Sequence, residues 1–105
     1  MIYTIDEIKQ RVAPVASKYH LAAVYLFGSY ARKEATDTSD VDLLVDRSGS
    51  TIRGMFDMGA LYDDLCQSIG KEVDLITTQT LEQPETQRHS QQFVRSVQHE
   101  RIRLI

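Results

Sequence analysis

Apolar residues recur at helical spacing along Ile5, Ile8, Val12, Ala16 and Tyr19, and predict a first helix with one apolar stripe. Thr4 followed by Glu7 supplies the capping box that opens it. Pro14 falls inside this stretch, where a lost hydrogen bond is expected to kink or split the helix. From Leu21 to Phe27 the pattern changes to a short continuous apolar run closed by Gly28, the mark of a buried strand. Ser29 to Lys33 reads as one helical turn, and Thr36-Asp37-Thr38-Ser39 as a polar turn. Val41 to Val45 forms the second predicted strand, and Ser48-Gly49-Ser50 marks a loop. Met55, Met58, Tyr62, Leu65 and Ile69 share one helical face, with Gly70 placed to cap its end. Glu72 to Thr77 reads as a third strand. Pro84 starts a predicted last helix with Phe93, Val94 and Val97 as its apolar positions, and Ile102 to Ile105 reads as a terminal strand.

This order predicts a single α/β (α+β) domain over residues 1–105, a small mixed β-sheet with helices packed on one face. Composition narrows the setting. The hydrophobic fraction of 42% is ordinary for a globular chain, and no apolar run approaches the ~20 residues of a membrane span. The N-terminal residues lack a basic region and an apolar signal core, and Cys66 is alone, so a reducing cytoplasm is expected. A net charge of −3 argues against duplex nucleic acid as partner, because binding domains for it are basic. It leaves a nucleotide open, since a divalent cation can screen a triphosphate where lysines do not.

The candidate chemistry sits where the first strand ends and the second begins. Gly28-Ser29 leaves a strand, and ten residues later comes Asp40-Val41-Asp42. Glycine lets a backbone approach closely, and a hydroxyl with the following amides can bond phosphate oxygens. Side chains alternate along a strand, so Asp40 and Asp42 are expected on one face, roughly 7 Å apart, with Val41 and Leu43 turned into the core. Such a pair can flank two divalent ions, and Mg²⁺ suits carboxylate and phosphate oxygens. Asp74, between apolar neighbours in a predicted strand where Asp is uncommon, is the third candidate acid. Taken together, Gly28 and Ser29 are candidate phosphate-binding residues, and Asp40, Asp42 and Asp74 candidate catalytic and metal-holding residues.

The runs Leu26-Phe27-Gly28-Ser29-Tyr30-Ala31-Arg32, Glu34-Ala35, Ser39-Asp40-Val41-Asp42-Leu43-Leu44-Val45 and Val73-Asp74-Leu75-Ile76 resemble the minimal nucleotidyltransferases of the DNA polymerase β-like superfamily. Lys33 stands where members often carry glycine. The subgroup most resembled is the MNT type, encoded beside an all-helical HEPN protein and implicated in toxin–antitoxin pairs. The resemblance implies a polymerase β-like nucleotidyltransferase fold, ATP as substrate and two Mg²⁺ ions on Asp40, Asp42 and Asp74. It further implies an antitoxin that transfers AMP to a tyrosine of a HEPN-type RNase toxin. Larger relatives carry a second, acceptor-binding domain, so here the acceptor is expected from outside.

Two rival readings follow. The chain could neutralise a partner by contact alone, or transfer a nucleotide to a small molecule such as an aminoglycoside. An intact acid set argues against the first, since buried carboxylates are costly without metal or partners. Asp46, Asp63, Asp64 and the scattered His20, His89 and His99 read as surface or packing residues. Arg32 reads either as a phosphate contact or as a brace for the loop, and Arg101 and Arg103 either as a basic edge for a partner or as a solvated tail. Homo- or hetero-oligomerisation is left open.

Overall fold

The two registers of side chains on the second strand decide how the molecule is layered. Val41, Leu43 and Val45 are completely buried, while Asp42 and Asp46 between and beyond them are half-buried. A sheet in which one register of side chains is wholly apolar needs a cover on that face, and two long helices supply it. The computed structural model describes residues 2–81 and 91–105. Among them the order is α1 (Ile5–Tyr19), β1 (Ala23–Phe27), α2 (Gly28–Ala31), β2 (Val41–Asp46), α3 (Met55–Ile69), β3 (Val73–Thr77), α4 (Thr78–Leu81), α5 (Gln91–Glu100) and β4 (Ile102–Arg103).

The sheet runs β3-β2-β1-β4. β1 is antiparallel to both β2 and β4, and β2 is parallel to β3, so the sheet is mixed as expected. Ile8, Val12, Val15 and Ala16 of α1 join Leu61, Leu65 and Ile69 of α3 in one core with Val24, Leu26, Val41, Leu43, Val45 and Val73. The other face carries a smaller cluster, in which Val97 of α5 packs with Phe27 and Leu44.

The capping box at Thr4 forms in both directions. Glu7 donates its amide to Thr4 Oγ1 at 3.1 Å and Thr4 donates its own to Glu7 Oε1 at 3.0 Å. Gly70 closes α3 in the left-handed conformation, φ 77°. Pro14 does not split α1, which runs unbroken to Tyr19. Pro14 and Gln10, whose carbonyl loses its helical partner, are both exposed to water, and the buried residues on either side of Pro14 hold both halves to one core. The apolar stripe of α3 begins one turn later than expected: Met58 is half-buried, whereas Met55 is 91% exposed. Leu61, outside the predicted stripe, is fully buried. The last strand is shorter than predicted, two residues rather than four. Pro84, the predicted start of the last helix, lies outside the described residues, as do the side chains of Phe93 and Val94.

Candidate active site

β1 must end where its apolar run ends, and Gly28 makes the turn. Its φ of 72° lies in the left-handed region that glycine enters without steric cost. A second reason for glycine is the neighbour: a Cβ at this position would stand 2.0 Å from Asp42 Oδ2. The Asp42 carboxylate therefore fills the space that a Cβ at position 28 would need, and only glycine leaves room for it.

The register brings the acids together. Phe27 pairs with Asp42 across β1 and β2, and Asp42 pairs with Asp74 across β2 and β3. Paired strands lie about 4.8 Å apart, and residues in register point to the same face. Asp42 and Asp74 thus stand side by side on the sheet face opposite α1 and α3. They line a cavity of about 170 Å³ with Phe27, Gly28, Arg32, Val97 and Glu100.

Charge in this cavity is unbalanced. Burial, followed by the nearby carboxylates of Asp74 and Asp40, pushes the Asp42 carboxyl up to about 6, and Arg32 only partly offsets them. Arg32 is itself engaged: its Nη1 donates to Glu100 Oε2 at 3.0 Å and its Nε to Glu34 Oε2 at 3.1 Å. A buried carboxylate beside a second one is stabilised by a cation, so Asp42 and Asp74 suit a divalent metal with oxygen preference.

The five predicted site residues are not placed alike. Gly28, Asp42 and Asp74 line the cavity. Asp40 lies one residue before β2, which opens at Val41, and is exposed outside the cavity wall, though near enough to raise Asp42. Ser29 is half-buried in the first turn of α2 and is not part of the wall, and its carbonyl accepts the Glu34 amide at 2.8 Å. Among the described residues, no three acidic, histidine or cysteine side chains converge on one point. Lys33 takes φ 61°, the conformation a glycine would favour, and faces a different cavity. Glu100 is the wall residue that sequence reading missed. It lies 58 residues beyond Asp42 on a helix with a polar majority, and only the packing of Val97 brings it over the sheet.

The chain is similar in sequence and fold to known proteins. Residues 10–94 match the family described as Polymerase beta, Nucleotidyltransferase. A protein of Methanocaldococcus jannaschii named "Putative protein adenylyltransferase MJ0435" is 38% identical over 73 residues, 70% of this chain and 76% of that protein. A second from the same organism, "Putative protein adenylyltransferase MJ1379", is 33% identical over 85 residues, 77% of this chain and 85% of that one. Among solved structures, "Structure of putative minimal nucleotidyltransferase" superposes with a TM-score of 0.68 at 26% identity, covering 95% of each chain. "Crystal structure of the toxin-antitoxin with AMP-PNP" shares the fold, with a TM-score of 0.70 at 19% identity over 92% of this chain and 72% of that one. With motif, sheet register and sequence similarity in accord, this chain belongs to the polymerase β nucleotidyltransferase family.

Proposed function

We propose that this chain transfers AMP from ATP to a hydroxyl group of a partner protein, a tyrosine of a HEPN-type toxin, and so acts as the antitoxin of a pair. The observation that carries the reading is the placement of Asp42 beside Asp74 on one cavity wall, with the Gly28 backbone pressed against Asp42. Relatives named as protein adenylyltransferases support a protein acceptor, and a toxin-antitoxin neighbour in fold supports the pairing.

In the reaction the acceptor oxygen attacks the α-phosphorus of ATP and forms the new P–O bond. The bond from that phosphorus to the bridging oxygen of pyrophosphate breaks, and pyrophosphate leaves with the electron pair. The hydroxyl proton passes to a carboxylate, and the greater exposure of Asp74 than of Asp42 supports Asp74 in that role. Gly28 gives the phosphate chain close approach to backbone, and Ser29 offers a hydroxyl and amide in the first turn of α2. Asp42 and Asp74, with Asp40 nearby, would hold Mg²⁺, which when bound would neutralise phosphate charge and lower the pKa of the acceptor hydroxyl.

Label transfer tests this. The chain is incubated with Mg²⁺, ATP labelled at the α-phosphate and the product of the neighbouring gene. A labelled partner band that disappears with Asp42→Asn is expected. Tight Mg²⁺–ATP binding without any labelled protein would replace the reading with neutralisation by contact or with a small-molecule acceptor.

A further inference from the structure

Glu100 has no part in the transfer of AMP, yet it forms part of the cavity wall. Three carboxylates, those of Asp42, Asp74 and Glu100, and one guanidinium, that of Arg32, line it. That cation is already shared, with Glu100 inside the wall at 3.0 Å and with Glu34 outside it at 3.1 Å. A triphosphate entering this cavity without a cation of its own would meet net negative charge and a guanidinium already paired with two carboxylates. Charges of like sign in a partly dry site repel more strongly than in bulk water. The Arg32–Glu100 pair is held in place because α5 is anchored by Val97, which is 1% exposed, three residues before Glu100.

We propose that Glu100 is a specificity-determining residue of the nucleotide cavity: by holding Arg32 and adding its own charge, it rejects free nucleoside triphosphate and admits only the triphosphate that arrives with a divalent cation. This rests on the reading that the cavity takes a nucleoside triphosphate. The Arg32–Glu100 pair is partly solvated, with side-chain exposures of 41% and 33%, so exchanging one partner is not a fold-breaking event. Glu34 offers an internal control. It pairs with the same guanidinium but is 66% exposed and lies outside the wall.

The experiment is calorimetric titration of the full chain with ATP, once in excess EDTA and once in Mg²⁺, for wild type, Glu100→Gln and Glu34→Gln. Wild type is expected to bind Mg²⁺–ATP more than about tenfold tighter than free ATP. Glu100→Gln should tighten free ATP by about three- to tenfold and change Mg²⁺–ATP by less than about twofold, so that discrimination collapses. Glu34→Gln should keep the wild-type ratio. A Glu100→Gln variant that retains full discrimination overturns the proposal. So does one that weakens both forms alike, because that is the behaviour of a strut for α5. A wild-type chain that binds ATP in neither form overturns the underlying reading, and a thermal melt without nucleotide confirms that each variant is folded.

Discussion

The two faces of the sheet use the same strands for opposite purposes. On β2, Val41, Leu43 and Val45 are fully buried against α1 and α3, whereas Asp42 is half-exposed and Leu44 is the apolar floor beneath α5. One face is a core whose residues are apolar, close-packed and mutually supporting. The other holds a carboxylate pair that repel each other at a register position where the fold itself would be better served by apolar residues. A conflict between stability and placement of this kind marks the face on which function resides.

The largest effects should separate these faces cleanly. Asp42→Asn is expected to reduce AMP transfer by about 10³-fold, the scale of several kcal/mol of lost charge stabilisation, while leaving the fold intact. Leu43→Ala, one residue along and facing the other way, should cost about 2–5 kcal/mol of stability by opening a cavity. Activity per folded molecule should change little at low temperature. Transfer assays at 10 °C paired with urea unfolding check both. Equal activity losses in the two variants would erase the distinction between faces.

A second pair concerns glycines. Gly28 and Gly49 share nearly the same backbone angle, φ 72° and 70°, but an added Cβ at Gly49 meets nothing within 4 Å. Gly49→Ala should therefore cost only the left-handed strain of about 1–2 kcal/mol. Gly28→Ala carries that strain and must also displace the Asp42 carboxylate, so Mg²⁺–ATP affinity is expected to fall by more than about tenfold, about 1.4 kcal/mol. Binding titrations on both variants, beside their melting temperatures, measure the difference. Matching affinities would mean that the contact between Gly28 and Asp42 plays no part in nucleotide binding.

How much of this was legible in the sequence follows the range of the interactions. The capping box at Thr4, the turn at Gly28, the cap at Gly70 and the alternation in β2 are local, and the chain spells them out. Asp42 and Asp74 were legible as well, because an acid inside an apolar strand is conspicuous wherever it lies. Position relative to the wall was not. Asp40 and Asp42 are alike in sequence, yet the strand opens at Val41 and leaves Asp40 outside. Glu100 reads as an ordinary polar helical residue, and becomes part of the site only through a tertiary contact at Val97. Arg101 reads as a basic edge or a solvated tail, but its guanidinium lies 4.6 Å from the centroid of the Tyr25 ring, on a neighbouring strand.

The smallest expected effect tests the charge conflict on the site face directly. In the metal-free chain Asp42 titrates near 6, above the value near 4 that a carboxyl has in the unfolded chain. Between those two values the native state holds a proton that the unfolded state has released, so stability must fall as pH rises through the window. The contribution is complete below pH 4 and gone above about pH 6. Allowing for solvent screening of a half-exposed group, it amounts to about 1 kcal/mol. Glu7, Asp46 and Asp64 bend the profile the other way. Hydrogen bonds to Thr4, to Ser48 and to Lys18 and Tyr19 hold their carboxyls below the ordinary value, so what they contribute is lost only as pH falls below about 4. The two windows barely overlap, and urea unfolding of wild type and Asp42→Asn at pH 4, 5, 6 and 7 isolates the upper one. Wild type should sag across pH 4 to 6 while Asp42→Asn stays level. Millimolar Mg²⁺ should lift the wild-type sag, because a cation between Asp42 and Asp74 favours the ionised form. Parallel profiles for the two chains, with or without Mg²⁺, would mean that the two faces differ in solvent exposure alone and that no charge conflict is stored at Asp42.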